Sequence, residues 1–130
     1  GGVGVGKARA VPEAMRKATE RARRNMKEIP LIGTTIPHPV EIKFGATRLI
    51  LRPASPGTGV IAAGGVRAVL EAAGIRDVLT KILGSTNPVS VVYAAMKGLE
   101  MLRSPEKVAQ IRGKPVEDVM PPWSRRRHEG

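Results

Sequence analysis

Cysteine is absent from the 130 residues. That removes disulfide frameworks, thiolate metal sites and thiol nucleophiles together, and leaves the compartment unconstrained by redox chemistry. Aromatic residues are scarce: Phe44, Tyr93 and Trp123 stand alone. Single-stranded nucleic acid is held largely by bases stacked on aromatic platforms, so this scarcity favours contact with phosphates or with RNA shape. No apolar run reaches the roughly 18 residues of a membrane-spanning helix, and the beginning lacks the apolar core of a signal peptide. Negative charge is also in short supply. Against 22 Lys+Arg there are 11 Asp+Glu, a formal charge of +11 and a pI of about 11.1. That imbalance calls for a polyanionic partner, either nucleic acid or an acidic membrane surface. With 42% hydrophobic residues the chain can bury one modest core, or one and part of another.

Glycine is plentiful, and the chain opens on it: "GGVGVGKA". From Gly1 to Lys7 the spacing matches the phosphate loop GxxxxGK(S/T), whose backbone N–H groups surround phosphate while its lysine reaches it and its hydroxyl binds magnesium. Ala8 stands where the hydroxyl belongs. Gly2, Gly4 and Gly6 alternate with Val3 and Val5, a period of two that reads equally as a glycine-rich strand end. Two readings are open here. One is a nucleotide-binding enzyme using the Gly1–Lys7 loop; the other is contact of Lys7 and Arg9 with the phosphates of a nucleic acid. The chain has no initiating Met and begins in mid-strand, so it is expected to be N-terminally incomplete.

Val11, Met15, Ala18, Ala22 and Met26 recur at spacings of three and four and predict an amphipathic helix from Val11 to about Lys27. Pro12 suits its first turn. Residues 1–28 hold eight cations (Lys7, Arg9, Arg16, Lys17, Arg21, Arg23, Arg24, Lys27) against Glu13, Glu20 and Glu28, so segment and helix form one basic block. A membrane-surface role ranks last, because an apolar face of Ala and Met offers a bilayer little to bury.

Pro30, Gly33, Pro37 and Pro39 then interrupt any helix, and a domain break is expected near residue 29. Val40, Ile42 and Phe44, followed beyond Gly45 by Leu49 and Leu51, predict a β-hairpin with one buried face. "PASPGTG" reads as a constrained loop and "VIAAGG" as a short strand. Val66 to Ala73 reads as a helix stopped by Gly74. "IRDVLTKILG" is ambiguous between strand and helix. Asn87-Pro88 caps a helix to about Arg103, and Ser104-Pro105-Glu106 starts another by the same chemistry. After Gly113 a helical turn, "PVEDVM", precedes a polar tail. Strands and helices in this order imply an α+β or α/β two-layer sandwich.

No catalytic set assembles. His38 and His128 lack metal-ligand spacing, no serine sits in a nucleophile-elbow context, and nearly all carboxylates neighbour Lys or Arg as solubilising residues would. His38, flanked by Pro37 and Pro39, reads as an ordinary loop histidine or an RNA contact. Arg125, Arg126 and Arg127 read as a solvated terminal run or a further RNA contact.

The stretches "VGVGKARAVPEAMRKATERARRNM", "PASPGTGVIAAGGVRAVLEAAGIRDVLTKILGSTNP" and "SPEKVAQIRGKPVEDVM" together resemble the bacterial small-subunit ribosomal protein five family, from Val3 to about Met120. The resemblance implies an α+β fold in which residues 1–28 are the last strand and helix of a double-stranded-RNA-binding-like domain. Residues 29–113 would be the C-terminal domain, a two-layer sandwich with a left-handed βαβ crossover, and 114–130 an extension and tail. The incomplete first domain is expected to be marginally ordered by itself.

In function the resemblance implies a non-enzymatic rRNA-binding constituent of the cytoplasmic small ribosomal subunit, with an organellar ribosome left open. It implies contact with neighbouring proteins four and eight near the mRNA path, support of assembly and decoding accuracy, and no cofactor, metal or membrane. It assigns Gly4, Gly6, Lys7, Arg9, Arg16, Arg23 and Arg24 to rRNA, and Gly57, Gly59 and Arg67 to a protein interface. Gly57 and Gly59 also read as plain turn residues with positive φ. The chain departs from the family's usual pattern at Ala10, Ala63, Tyr93 and Ala95.

Overall fold

The computed structural model describes residues 2–123, with side chains from residue 10 onward. The described elements run α1 (Gly2–Arg24), β1 (Val40–Phe44), β2 (Thr47–Pro53), β3 (Val60–Ile61), α2 (Gly64–Ala72), β4 (Val78–Gly84), α3 (Pro88–Glu100), α4 (Pro105–Arg112) and α5 (Val116–Val119), with a 3-10 turn at Met26–Glu28. The strands form one sheet in the order β1-β2-β4-β3. The expected hairpin is present: β1 and β2 are antiparallel, Val40 opposite Leu51 and Ile42 opposite Leu49, and all four of these residues are buried. The ambiguous "IRDVLTKILG" becomes β4, antiparallel to β2 and parallel to β3. Its Val78, Thr80 and Ile82 align with Pro53, Leu51 and Leu49 on the covered face, which suits their β-branched side chains. Joined through α2, β3 and β4 make the crossover unit of an α+β sandwich.

The helix ends obey local chemistry. Asn87 caps α3 by accepting from the N–H groups of Val89 and Ser90, at 3.0 and 3.1 Å. Ser104 caps α4 through the Lys107 N–H at 3.1 Å. Beyond α2, Gly74 N–H donates to the Glu71 carbonyl and Ile75 N–H to that of Leu70, the paired pattern of a Schellman stop.

Helices α2 and α3 cover one face of the sheet, and α1 lies across them as a third layer. The layers are close because small residues stand at the crossings. A Cβ on Gly98 would lie 2.7 Å from Ile42 Cδ1 and 3.1 Å from Leu51 Cδ1, and one on Gly65 would lie 3.1 Å from Val92 Cγ2. Leu49, Leu51 and Leu70 are wholly buried, each stabilising the fold by about 1.5–3 kcal/mol.

The opening segment differs from its expectation. Gly2–Gly6 belongs to α1 and not to a strand. A strand needs a neighbour to satisfy its N–H and C=O groups, whereas a helix pairs them within the segment. No strand lies beside this segment among the described residues. The helix also packs on the rest of the fold: Ala18 and Ala22 share the core with Val66, Val69 and Val92. Its buried line is Ala14, Ala18 and Ala22, flanked by half-buried Val11 and Met15, while Met26 is exposed.

Candidate nucleic-acid interface and partner loop

Since Ala14, Ala18 and Ala22 face α2 and α3, the helical turn of about 100° per residue puts Arg16 and Arg23 on the outermost side of α1, with Arg24 on the flank. Arg16, Arg23 and Arg24 are all exposed. Three cations of this helix are engaged: Arg16 pairs with Glu20 at 3.5 Å, Lys17 with Glu13 at 3.6 Å, and Arg21 reaches Glu100 of α3 at 2.7 Å. Arg21 therefore fastens α1 to α3, while Arg23 and Arg24 point outward. Gly4, Gly6, Lys7 and Arg9 belong to the helical backbone of α1, and their side chains lie outside the described part. The continuous helix also overturns the nucleotide-loop reading. A phosphate loop gathers N–H groups in a non-helical turn ahead of its lysine, and here residues 2–7 are helix throughout.

The expected protein-interface glycines sit in the loop between β2 and β3. Gly57 has φ +93° and Gly59 φ +87°, and a Cβ at either would meet nothing within 4 Å. Their requirement is conformational, as the turn reading held: space is available, but the left-handed backbone is not open to other residues without cost.

What holds the loop is a residue that sequence reasoning missed. Asp77, at the threshold of β4 and only 4% exposed, accepts the Thr34 hydroxyl on Oδ2 and the Gly59 N–H on Oδ1, the latter at 2.7 Å. The Thr34 hydroxyl and the Gly59 N–H hold its carboxyl below the ordinary value of 3.8, against the opposing effect of burial, and the Gly57 and Thr58 N–H groups add to the lowering. The Arg76 and Asp77 N–H groups donate to the Thr34 carbonyl, and buried Thr35 accepts from Ala54 N–H at 3.0 Å. Loop, turn and strand are thereby tied together. Asp77 is thus no solubilising carboxylate. A signal was present, since Asp77 stands immediately before the apolar start of β4, between Ile75 and Val78, both buried.

Arg67 is exposed on α2, one turn before its partner Glu71 at 2.8 Å. It lies on α2, the element that follows β3 in the chain and packs against α1. His38 is structural: its Nε2 accepts the Arg103 N–H at 2.9 Å and its Nδ1 lies 3.0 Å from the Pro39 carbonyl. That assigns the neutral Nδ1–H tautomer. Phe44 and Tyr93 stack on each other at 5.7 Å with Lys97 over Phe44, so neither ring is a free platform for a base. Among the described residues no cluster of ligating side chains could hold a metal, and no helix is long and apolar enough to cross a membrane. Arg125, Arg126, Arg127 and His128 lie outside the described residues.

Comparison with known proteins bears on this arrangement. Residues 42–112 match the family described as Ribosomal protein S5, C-terminal domain, and residues 1–30 match Ribosomal protein S5, N-terminal domain. The chain is 56% identical over 119 residues to the small ribosomal subunit protein uS5 of Azotobacter vinelandii, covering 92% of this chain and 72% of that one. It is 54% identical to the uS5 protein of Ectopseudomonas mendocina and 55% identical to that of Pseudomonas aeruginosa strain LESB58, at the same coverage.

Proposed function

Because the chain belongs to the ribosomal protein S5 family, we propose that it docks in the small subunit through two surfaces of different chemistry. The family makes it a structural, rRNA-binding constituent of the small ribosomal subunit and not an enzyme. The finer assignment is that α1 meets rRNA through Gly4, Gly6, Lys7, Arg9, Arg16, Arg23 and Arg24, whose charges position the protein on phosphates without reading bases. The Gly57–Gly59 loop and Arg67 meet neighbouring protein four, and the chain also contacts protein eight, near the mRNA path in the cytoplasmic ribosome. Through these contacts the chain supports subunit assembly and decoding accuracy.

The observation that carries the reading is the division of α1 into a line of buried alanines and an outward basic side. The helix is anchored by packing, so its arginines meet an anion without ordering a loose segment first. The loop held by Asp77 is likewise ordered in advance of any partner.

The test is a titration against a small-subunit rRNA fragment at several salt concentrations. Substituting Arg16, Arg23 and Arg24 by Gln should lower the log–log salt slope by about 2–3, at roughly 0.7–0.9 for each phosphate no longer neutralised. Arg67→Glu should leave that slope unchanged and weaken capture of protein four. Salt-resistant Mg-ATP binding with no affinity for rRNA would overturn the assignment.

A further inference from the structure

The face of the sheet turned away from the helices is also basic. Strand alternation places Glu41 and Lys43 of β1, Arg48, Ile50 and Arg52 of β2, Leu79, Lys81 and Leu83 of β4, and Ile61 of β3 on this side. Its four cations are exposed, and its one carboxylate, Glu41, is paired with Arg48. The register defines their layout. Arg52 aligns with Leu79, Lys81 with Ile50, and Arg48 with both Lys43 and Leu83. Arg52, Lys81, Arg48 and Lys43 therefore trace a zigzag along β2, stepping out to β4 at Lys81, back to β2 at Arg48 and on to β1 at Lys43. Diagonal neighbours are about 7–8 Å apart and directly paired ones about 5 Å, intervals comparable to those between phosphates along a nucleic acid strand.

From this layout we infer that the open sheet face is a second RNA-backbone site, so that the protein bridges two RNA segments, one on α1 and one on the sheet. The inference builds on the rRNA reading of α1. Apolar side chains lie between and beside the cations: Ile50 is half-buried, and Leu79 and Ile61 are 41% and 52% exposed. They give a backbone a flat, aliphatic floor with no ring to stack a base. Arg52 also borders a cleft with Asp118 of α5, so the track ends there on mixed charge.

The two basic faces are independent. Helix α1 packs on α2 and α3, and α3 packs on β1 and β2. With packed helices about 8–10 Å apart, and the sheet a further layer below, the faces stand roughly 20 Å from each other. That is more than twice the Debye length of about 8 Å at physiological salt. Their contributions to the salt dependence should therefore add.

The test uses the whole chain with two differently labelled duplexes from small-subunit rRNA. Energy transfer between the labels should appear with the unaltered protein. The combined substitution Lys43→Gln, Arg52→Gln and Lys81→Gln should abolish it, lower the salt slope by about 2–3, and leave one duplex bound through α1. The charge-keeping set Lys43→Arg, Arg52→Lys and Lys81→Arg should restore both. In the unaltered protein, RNA should protect Lys43 and Lys81 from an amine-reactive label, a readout that needs no variant. An unchanged slope, no protection of these two lysines, or displacement of RNA from this face by an acidic polypeptide but not by free duplex would each overturn the inference. If the unaltered chain binds no rRNA at all, the reading of α1 falls and this one with it; if one duplex binds and the sheet variant changes nothing, only the sheet site falls.

Discussion

Replacing Gly84 by Ala should damage this fold more than its size suggests, and two independent effects set the amount. Gly84 ends β4 with φ +77°, a left-handed conformation that costs a residue with a Cβ about 1–2 kcal/mol. A Cβ there would also fall on the carbonyl oxygen of Ala46, well inside contact distance. That oxygen cannot step aside freely, because it accepts the Ser85 N–H at 2.8 Å. Nearby, the buried Thr47 hydroxyl donates to the Ser85 carbonyl at 2.8 Å. Overpacking of this kind adds about 1–3 kcal/mol, for an expected total of roughly 2–5 kcal/mol. Urea unfolding followed by circular dichroism reads the loss. With a slope of about 2 kcal/mol per molar, the midpoint should fall by at least about 1 M. Gly57→Ala is the control, since its φ of +93° carries the conformational cost but its surroundings are open. It should lose only about 1–2 kcal/mol. Equal losses at the two positions would refute the reasoning, because the contact with Ala46 would then contribute nothing.

Asp77→Asn should loosen the 55–59 loop and alter the acid limb of the stability curve. The folded carboxyl titrates below its ordinary value of 3.8, so its contribution is present above that pH and is lost as pH falls through the lower folded value. The variant should lack this part of the acid dependence, read by unfolding midpoints from about pH 5 downward; a variant curve parallel to the wild type's would count against it. Gly98→Ala sets a gain in helix propensity of about 1 kcal/mol against overpacking on Ile42 and Leu51 of about 1–3 kcal/mol. A net loss of about 1 kcal/mol is expected, and increased stability would mean that the Ile42 side chain yields easily. Asn87→Ala removes the cap of α3 and should cost about 1 kcal/mol, measurable by thermal unfolding and refuted by an unchanged midpoint.

Much of this protein was determined by the sequence alone, wherever one local rule governed an element. Alternation in "VEIKF" and "TRLILR" has a period that only a half-buried strand satisfies, and Asn87-Pro88 and Ser104-Pro105 are helix starts because side-chain oxygen and missing N–H act on the same turn. The excess of positive charge required a polyanion before any contact was known. Specific residue patterns carried the family resemblance.

Tertiary structure decided the rest, because those features depend on residues distant in the chain. "IRDVLTKILG" is a strand because β2 and β3 flank it, which its own periodicity could not specify. The glycine-rich opening, which read as a strand, is helical, with no strand beside it among the described residues. Asp77 read as one more surface carboxylate until folding brought Thr34 from one side and Gly59 from the other, exchanging water for fixed hydrogen bonds. The zigzag of Arg52, Lys81, Arg48 and Lys43 along β2 exists only through strand register. Adjacent charges in sequence point to opposite sides of a strand, and pairing between strands is what brings alternate ones together.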